Sequence, residues 1–455
     1  MSLTLACSGC GIVARTVADG YDKLSAGALT NPGRIGPLTE TEQAWARAAW
    51  RYVTNNTNAS TGLVNSVDRY PAATMWQIGD YLAALVAARE LKLIDRNEFD
   101  HRLSDVLRFL SHMPLLPDGL PNRVYNTQSG AMSNYSNQPG AIGASAVDVG
   151  RLLVWLHAIG ARYSEYGEYV ERAVLNWNVC ELIDADGTLY ATRMEGQRAI
   201  RMVEIRPGYG EYASNGLRLW GVRAADANPA PLAEAYANGV RVYFETRDPR
   251  QSGATNALVS LPWLLSGIEF GWGFANGGTR VGDGPNIETQ ANAIYRAQEA
   301  RWRKDGIVTA RTDHQVDQPP YFVYDTVFAN GYAWNTIGDD GRAYPQLALV
   351  ATRAAFGMWV LWNTRYTTRL MQATDTLYDP ERGWYEGRYE ATGAYDRTLT
   401  LSTNAAVLEA LLYKSSGRVV PTTRRAGYYA ARMRDVFAGS AACLPVARRV
   451  EAGPR

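Results

Sequence analysis

Apolar residues recur at spacings of three and four from near one end of this chain to near the other, and that periodicity constrains the fold more than any other feature. Met75, Ile78, Leu82 and Leu85 share one helical face, Val149, Leu152, Leu153 and Leu156 repeat the pattern, and Leu401, Leu408, Leu411 and Leu412 repeat it again. About twelve such segments can be laid out, at 40–54, 72–93, 98–113, 141–160, 165–180, 210–223, 229–241, 256–271, 286–304, 345–361, 364–375 and 401–414. Twelve helices in succession make six hairpins. Thr39, ahead of Glu40, is placed to cap the first, and Asp95-Arg96-Asn97 ends the second and caps the third. β-signals are local: the stretches on either side of Glu195-Gly196-Gln197 read as one hairpin inside a long connection.

Six connections are long: 57–71, 114–140, 196–211, 272–287, 306–344 and 377–400. Loops beyond about 12–15 residues in a compact domain are usually functional or disordered. These are too rich in Tyr, Trp and Asn for disorder, and they alternate with short connections, as expected if one end of a helical barrel carries a site. The 27 Tyr and 13 Trp against 9 Phe favour rings with a hydrogen-bonding tip, which suit a wet groove. The expected organisation is an N-terminal lead over 1–38, one domain over 39–415, and an accessory helix (about 422–437) with a tail in 416–455. The opening MSLTLACSGC resembles the end of an export or lipoprotein signal, which favours a periplasmic or cell-surface location, and no apolar run is long enough to span a membrane.

With 46 Lys and Arg against 45 Asp and Glu and no cluster of like charge, nothing recommends a nucleic-acid or acidic-membrane partner. GxSxG, HExxH and GxxxxGK[ST] are absent, the four histidines (His101, His112, His157, His314) have no base-like spacing, and Cys7/Cys10 lacks a second CxxC, so no metal or cofactor is expected. The GWGFANGG stretch at 271–278 lacks the strand-turn-helix setting of a dinucleotide site.

What remains is acids among aromatics and amides, the vocabulary of sugar chemistry. Glycoside cleavage needs one protonated carboxyl for the leaving oxygen and a second as base or nucleophile. Three stretches fit: Gly208-Tyr209-Gly210-Glu211-Tyr212, with Glu211 at a loop-to-helix boundary; Gly383-Trp384-Tyr385-Glu386-Gly387; and Tyr321-Phe322-Val323-Tyr324-Asp325. The bland readings are a carboxylate on a helix dipole for Glu211, a solvated turn residue for Glu386 and a loop anchor for Asp325. Asp148, inside an apolar helix pattern, either meets an arginine or faces the lumen; Glu269 reads as structural.

In this order the motifs resemble the glucoamylase-like family of (α/α)6 proteins, which includes endo-β-1,2-glucanases and a domain of cyclic β-1,2-glucan synthases. Thr61-Gly62-Leu63-Val64 with Asp68, then the run Tyr81 to Val86, then Ser145 and Asp148 as Ser-x-x-Asp, match in order over about residues 40–415. Gly210-Glu211-Tyr212 is similar to the family's Asn-Glu-Tyr, whose Glu is the general acid in characterised members. Glu386-Gly387 is similar to the Asp-x-Gly loop thought to supply the base, and Asn404 resembles the Asn on the last inner helix. Gly143 and Gly210 stand where the family has Glu and Asn, so subsite contacts and linkage preference differ.

The expectation is therefore an all-α (α/α)6 toroid of six helical hairpins with long loops at one end, cleaving a β-glucan, with β-1,2-glucan favoured, or another bacterial exopolysaccharide. Glu211 would be the acid. Glu386 would be a base at about 6.5–9.5 Å or a nucleophile at about 5–5.5 Å. Asp68, Tyr70, Trp76, Arg123, Tyr125, Tyr135, Asn137, Gln138, Asp148, Tyr212, Trp272, Tyr324, Asp325, Trp334 and Asn404 would contact the sugar. A monomer or simple homo-oligomer is expected. The rival readings are a non-catalytic glycan-binding scaffold, a polysaccharide lyase on the same fold, and a helical-repeat interaction protein, the last lacking any fixed repeat period.

Overall fold

A computed structural model describes residues 33–184, 187–204, 206–222, 232–247, 256–272 and 285–422. The accessory helix expected at 422–437 lies outside them. Among the described residues there are eleven α-helices: α1 (Glu40–Asn56), α2 (Met75–Glu90), α3 (Arg96–His112), α4 (Ala146–Arg162), α5 (Gly167–Leu175), α6 (Tyr209–Leu219), α7 (Leu261–Phe270), α8 (Ile287–Asp305), α9 (Thr352–Leu361), α10 (Arg365–Thr374) and α11 (Leu401–Ser416). The expected caps form. Thr39 Oγ1 accepts from Glu42 N–H while the Glu42 carboxylate takes Thr39 N–H at 2.8 Å, and Asp95 accepts from Glu98 N–H at 2.8 Å.

Two kinds of helix alternate. On α2, α4, α9 and α11 nearly every side chain is buried, as in a helix enclosed on all sides, whereas α1, α3 and α10 bury one face. The enclosed helices form a closed circuit: α2 packs on α4, α4 on α6, α6 on α7, α7 on α9, α9 on α11, and α11 returns to α2. The one-sided helices lie outside, α3 on α2, α5 on α4, α8 on α7 and α10 on α9. The lead also joins the last helix to the first: Gly36 N–H donates to Lys414 O at 2.7 Å, and the Lys414 ammonium reaches Pro37 O at 2.9 Å and Glu42 at 3.0 Å.

The α4–α6 contact is backbone to backbone. A Cβ on Gly216 would lie 2.1 Å from Gly150 O, and one on Gly150 would lie 2.5 Å from Ala213 Cβ. Neither obstacle can swing aside, so Gly216→Ala is expected to lower stability by about 2–3 kcal/mol, the usual range for overpacking, read as a lower urea midpoint at unchanged slope.

The chain is not all-α, since among the described residues sixteen short strands lie in and beside the connections. The hairpin expected around Gly196 forms from β1 (Tyr190–Glu195) and β2 (Arg198–Val203). The helix expected at 229–241 does not. Over its described part the chain runs as β3 (Leu232–Ala237) and β4 (Val240–Glu245), an antiparallel hairpin packed on α8. Its turn is Asn238-Gly239, with φ of 49° and 83°, the two left-handed residues that favour a two-residue hairpin turn. Alternating burial along β3 and β4 overrides the helical spacing. No helix among the described residues is long and apolar enough to cross a membrane.

The lumen is plugged by charge. Arg151 of α4 donates Nε to Asp80 (2.8 Å), Nη1 to Tyr212 Oη (2.7 Å) and to Glu269, and Nη2 to Glu409 (2.5 Å), so five of the six circuit helices meet on one guanidinium. Tyr212 donates to Glu269 (2.7 Å), Trp155 Nε1 to Glu269 (3.2 Å) and Ser402 to Asp80 (2.7 Å). Burial holds Glu409 well above the usual carboxylate range against the pull of Arg151, and neighbouring Glu269 raises it further.

Candidate active site

The first turns of the circuit helices come together at one end. Trp76 on α2 lies 5.2 Å from Tyr209 on α6, Tyr209 Oη donates to Asp313 Oδ1 at 2.7 Å, and Arg353 on α9 donates to the Asp313 carbonyl. Trp76 also covers the lumen plug, its ring 5.3 Å from the Arg151 guanidinium carbon. It lies between the charged core and the cluster at these helix ends, the cup.

Asp313 and Tyr324 face each other across the ladder of β5 (Asp313–Gln315) and β6 (Phe322–Asp325), so their side chains share a face. Asp148 stands in the first turn of α4. Burial pushes its carboxyl up to about 6, with Arg206 and Arg123 pulling the other way. Arg206 in turn acts on Tyr324 and Tyr135. Arg123 is braced by Ala144 O (3.0 Å) and Thr192 O (3.2 Å). On the rim, Tyr135 is 59% exposed and Tyr70 donates to its carbonyl at 2.9 Å. Asn137, at φ 57°, accepts from Asn126 (3.0 Å) in the same turn as the exposed Gln138. Asp68 is clamped by Arg382 (2.6 Å) and Asn56 (3.1 Å), and Trp334 lies against Arg301 with its Nε1 on Asn238 (2.8 Å).

Glu211 occupies the first turn of α6, where its carboxylate accepts the Gly208 N–H at 2.7 Å. Gly208 is needed there: its φ is 82°, and a Cβ would lie 2.7–2.8 Å from Pro262 and Trp263. The helix-cap role is thus realised, yet the group is also poised. Burial pushes it up to about 7 against the hold of two backbone N–H groups, and the charge of Glu245 adds to the rise.

Other expected contacts fall elsewhere. Glu386, on β7 (Gly383–Tyr389), is fully buried and closed off from bulk water, its Oε1 taken by the hydroxyls of Thr400 and Thr403 (2.7 Å) and its Oε2 without a hydrogen-bond partner. Asp325 is equally sealed, holding Arg311, Thr336 (2.7 Å) and Leu349 N–H (2.9 Å) as a loop anchor. Asn404 is buried and fastens Trp384 by its N–H (2.8 Å) and O (3.2 Å). Tyr125 is core, donating to Pro114 O at 2.7 Å. Tyr212 belongs to the lumen plug, and Trp272 packs on Trp362 (5.7 Å) beyond the far ends of α7 and α9. Burial excludes most of these from a ligand; position excludes Trp272.

Arg206, Tyr209, Asp313 and Arg353 were not anticipated. Tyr209 and Asp313 are 104 residues apart and Arg353 lies 40 beyond Asp313, so no local spacing signals them. The residues in Arg206-Pro207-Gly208 that launch α6 are the one available hint.

A family model described as "Protein of unknown function (DUF3131)" matches residues 44–417. No curated protein matches the sequence. Similar solved structures include a Bacteroides caccae protein provisionally described as a glucoamylase, 12% identical over 83% of this chain and 94% of that one, with a TM-score of 0.63. An endo-β-1,2-glucanase from Chitinophaga pinensis, solved with sophorotriose and glucose, is 11% identical over 89% and 97%, with a TM-score of 0.61. A Talaromyces funiculosus endo-β-1,2-glucanase, solved with β-1,2-glucan, is 11% identical over 84% of both chains, with a TM-score of 0.54. At such identities the likeness is one of fold.

Proposed function

The chain belongs to the DUF3131 family, and we propose that it is a glycoside hydrolase built as an (α/α)6 toroid, acting on a β-glucan and on β-1,2-glucan by preference. The observation that carries the reading is the cluster at the first turns of the circuit helices, which brings Trp76, Tyr209 and Tyr324 together with Asp148, Asp313, Arg206 and Arg353. Rings offer flat faces to sugar C–H surfaces, and carboxylates and guanidiniums of both signs suit the hydroxyls of a neutral glycan. The likeness in fold to structures that hold β-1,2-glucan and its fragments supports the substrate class.

Glu211 is the proton donor in this reading. A carboxyl raised toward 7 by burial is still partly protonated at neutral pH, as a leaving oxygen requires. The testing experiment incubates the protein with β-1,2-, β-1,3-, β-1,4- and α-linked glucans and follows new reducing ends. Release from β-1,2-glucan at rates well above those from the other linkages is expected. Tight binding without cleavage of any of them would instead make the cup a glycan-binding site.

A further inference from the structure

The two carboxylate oxygens of Asp313 stand in unlike settings. Oδ1 accepts from Tyr209 Oη at 2.7 Å and from Thr312 Oγ1 at 2.9 Å. Among the described residues no donor comes within hydrogen-bonding distance of Oδ2: Arg353 Nη2 stays 3.8 Å away and donates to the Asp313 carbonyl instead. We propose that Asp313 is a specificity-determining residue of the cup, its open Oδ2 accepting hydrogen bonds from hydroxyls of the bound sugar, with Tyr209 and Arg353 as the positioning residues that aim it. The assignment rests on the glucan reading above.

An acid that merely fastens a loop spends both oxygens. Asp325 does so in the same ladder: its Oδ1 takes Arg311 and Thr336 (2.7 Å), its Oδ2 takes the Leu349 N–H (2.9 Å), and its side chain is fully buried. Asp313 stands opposite Tyr324, the residue before Asp325, so the two acids lie on opposite faces of the ladder. Its side chain keeps 15% of its surface, which leaves Oδ2 within reach of a ligand. A carboxylate oxygen offers two acceptor positions and no proton, so what fills it must be a donor, and the hydroxyls of a neutral sugar are donors. The carboxylate is also fixed before a ligand arrives, by Tyr209 of α6, Arg353 of α9 and Thr312 just ahead of β5. Burial holds the Tyr209 phenol well above its ordinary value and Asp313 adds to the rise, so the proton stays on Oη and the bond keeps its direction. The Tyr209 ring packs against Trp76, and Tyr324 shares the Asp313 face, which sets the acceptor among ring surfaces.

Asp313→Asn tests the assignment. The Tyr209 and Thr312 hydroxyls hold the amide oxygen toward them and leave the NH2 at the open position, so the fold is kept and the acceptor is lost. Calorimetry with sophorotriose should show affinity about 10–100-fold weaker than wild type, the span of a hydrogen bond to a charged group. The urea midpoint should stay at its wild-type value, and kcat at saturation within a few-fold, because the lost contact is made in ground state and transition state alike. Sophorotriose analogues that each lack one hydroxyl separate contact from fastening. In the wild type, removing the hydroxyl that Oδ2 holds should cost about ten-fold or more in affinity. In Asp313→Asn the same removal should cost nothing, while the penalties at other hydroxyls stay as they were. Tyr209→Phe keeps the carboxylate but loses one donor to Oδ1, and should reduce that hydroxyl's penalty without abolishing it.

Wild-type affinity in Asp313→Asn would overturn the assignment and leave the glucan reading standing. So would weaker binding with every hydroxyl penalty unchanged, the mark of a residue that only shapes its loop. A wild type that binds neither sophorotriose nor longer β-1,2-glucan would remove the glucan reading, and this assignment with it.

Discussion

Arg151→Leu does not reach a stable native state at pH 7. In the wild-type lumen one guanidinium answers Asp80, Glu269 and Glu409, all buried. Removing one partner of a buried pair costs about 3–5 kcal/mol because the other charge stays in the core unanswered. Here three acids lose their cation, and Tyr212 Oη loses a donor. Against a total stability of about 5–15 kcal/mol, the variant should lose its near-UV circular dichroism and its cooperative urea transition. The pH dependence has a definite sign. Stranded carboxyls have folded-state pKa values raised above their unfolded ones, so their penalty is present at high pH and fades as pH falls through the raised values. Partial recovery near pH 5 is expected, and Glu269→Gln with Glu409→Gln should recover more at pH 7. A single variant that unfolds within about 1 kcal/mol of wild type would show that the plug contributes little to stability.

Glu211→Gln lowers kcat on the cleaved glucan by about 10²–10⁴-fold, the range expected for a lost general acid, while the fold survives. The amide oxygen of glutamine can still accept the Gly208 N–H, so the cap that Glu211 provides is kept and only the transferable proton is lost. In the wild type, activity needs the protonated carboxyl, so kcat should fall as pH rises through about 7. The alkaline limb should disappear in whatever activity Glu211→Gln retains. Full activity with an unchanged pH profile would return Glu211 to the role of a helix cap.

The helices were legible because each buries a face whose spacing is written locally. Eleven of the expected segments contain an α-helix, with ends displaced by a few residues. The exception is instructive. In 229–241 the apolar spacing suits a helix, but Asn238-Gly239 is among the strongest short-range turn signals, and the hairpin it makes packs on α8 where a helix was expected. The site was less legible. Asp148, Trp76 and Tyr324, which the fold brings into one cluster, stand out locally as an acid in an apolar face and aromatics near loops. Glu386, Asp325, Asn404 and Tyr125 carry the same local marks but serve as internal fasteners, a distinction set by burial that sequence spacing does not encode. Arg151 was passed over altogether: it lies among apolar residues of α4, and its meaning depends on Asp80, Glu269 and Glu409, as many as 258 positions away.

The return of α11 to α2 has a bearing on how the chain is made. Glu409 follows Arg151 by 258 residues, which at about 5–20 residues per second is roughly 10–50 s of synthesis. Over that interval the nascent chain holds a cation that lacks Glu409 throughout, and Glu269 as well for the first 118 residues, and presents the flank of α2 on which α11 will settle. A polypeptide in that condition is an aggregation hazard and a natural client for a holding chaperone. Yield in a heterologous host should therefore depend more on chaperone supply and slow, cool expression than on the stability of the finished fold.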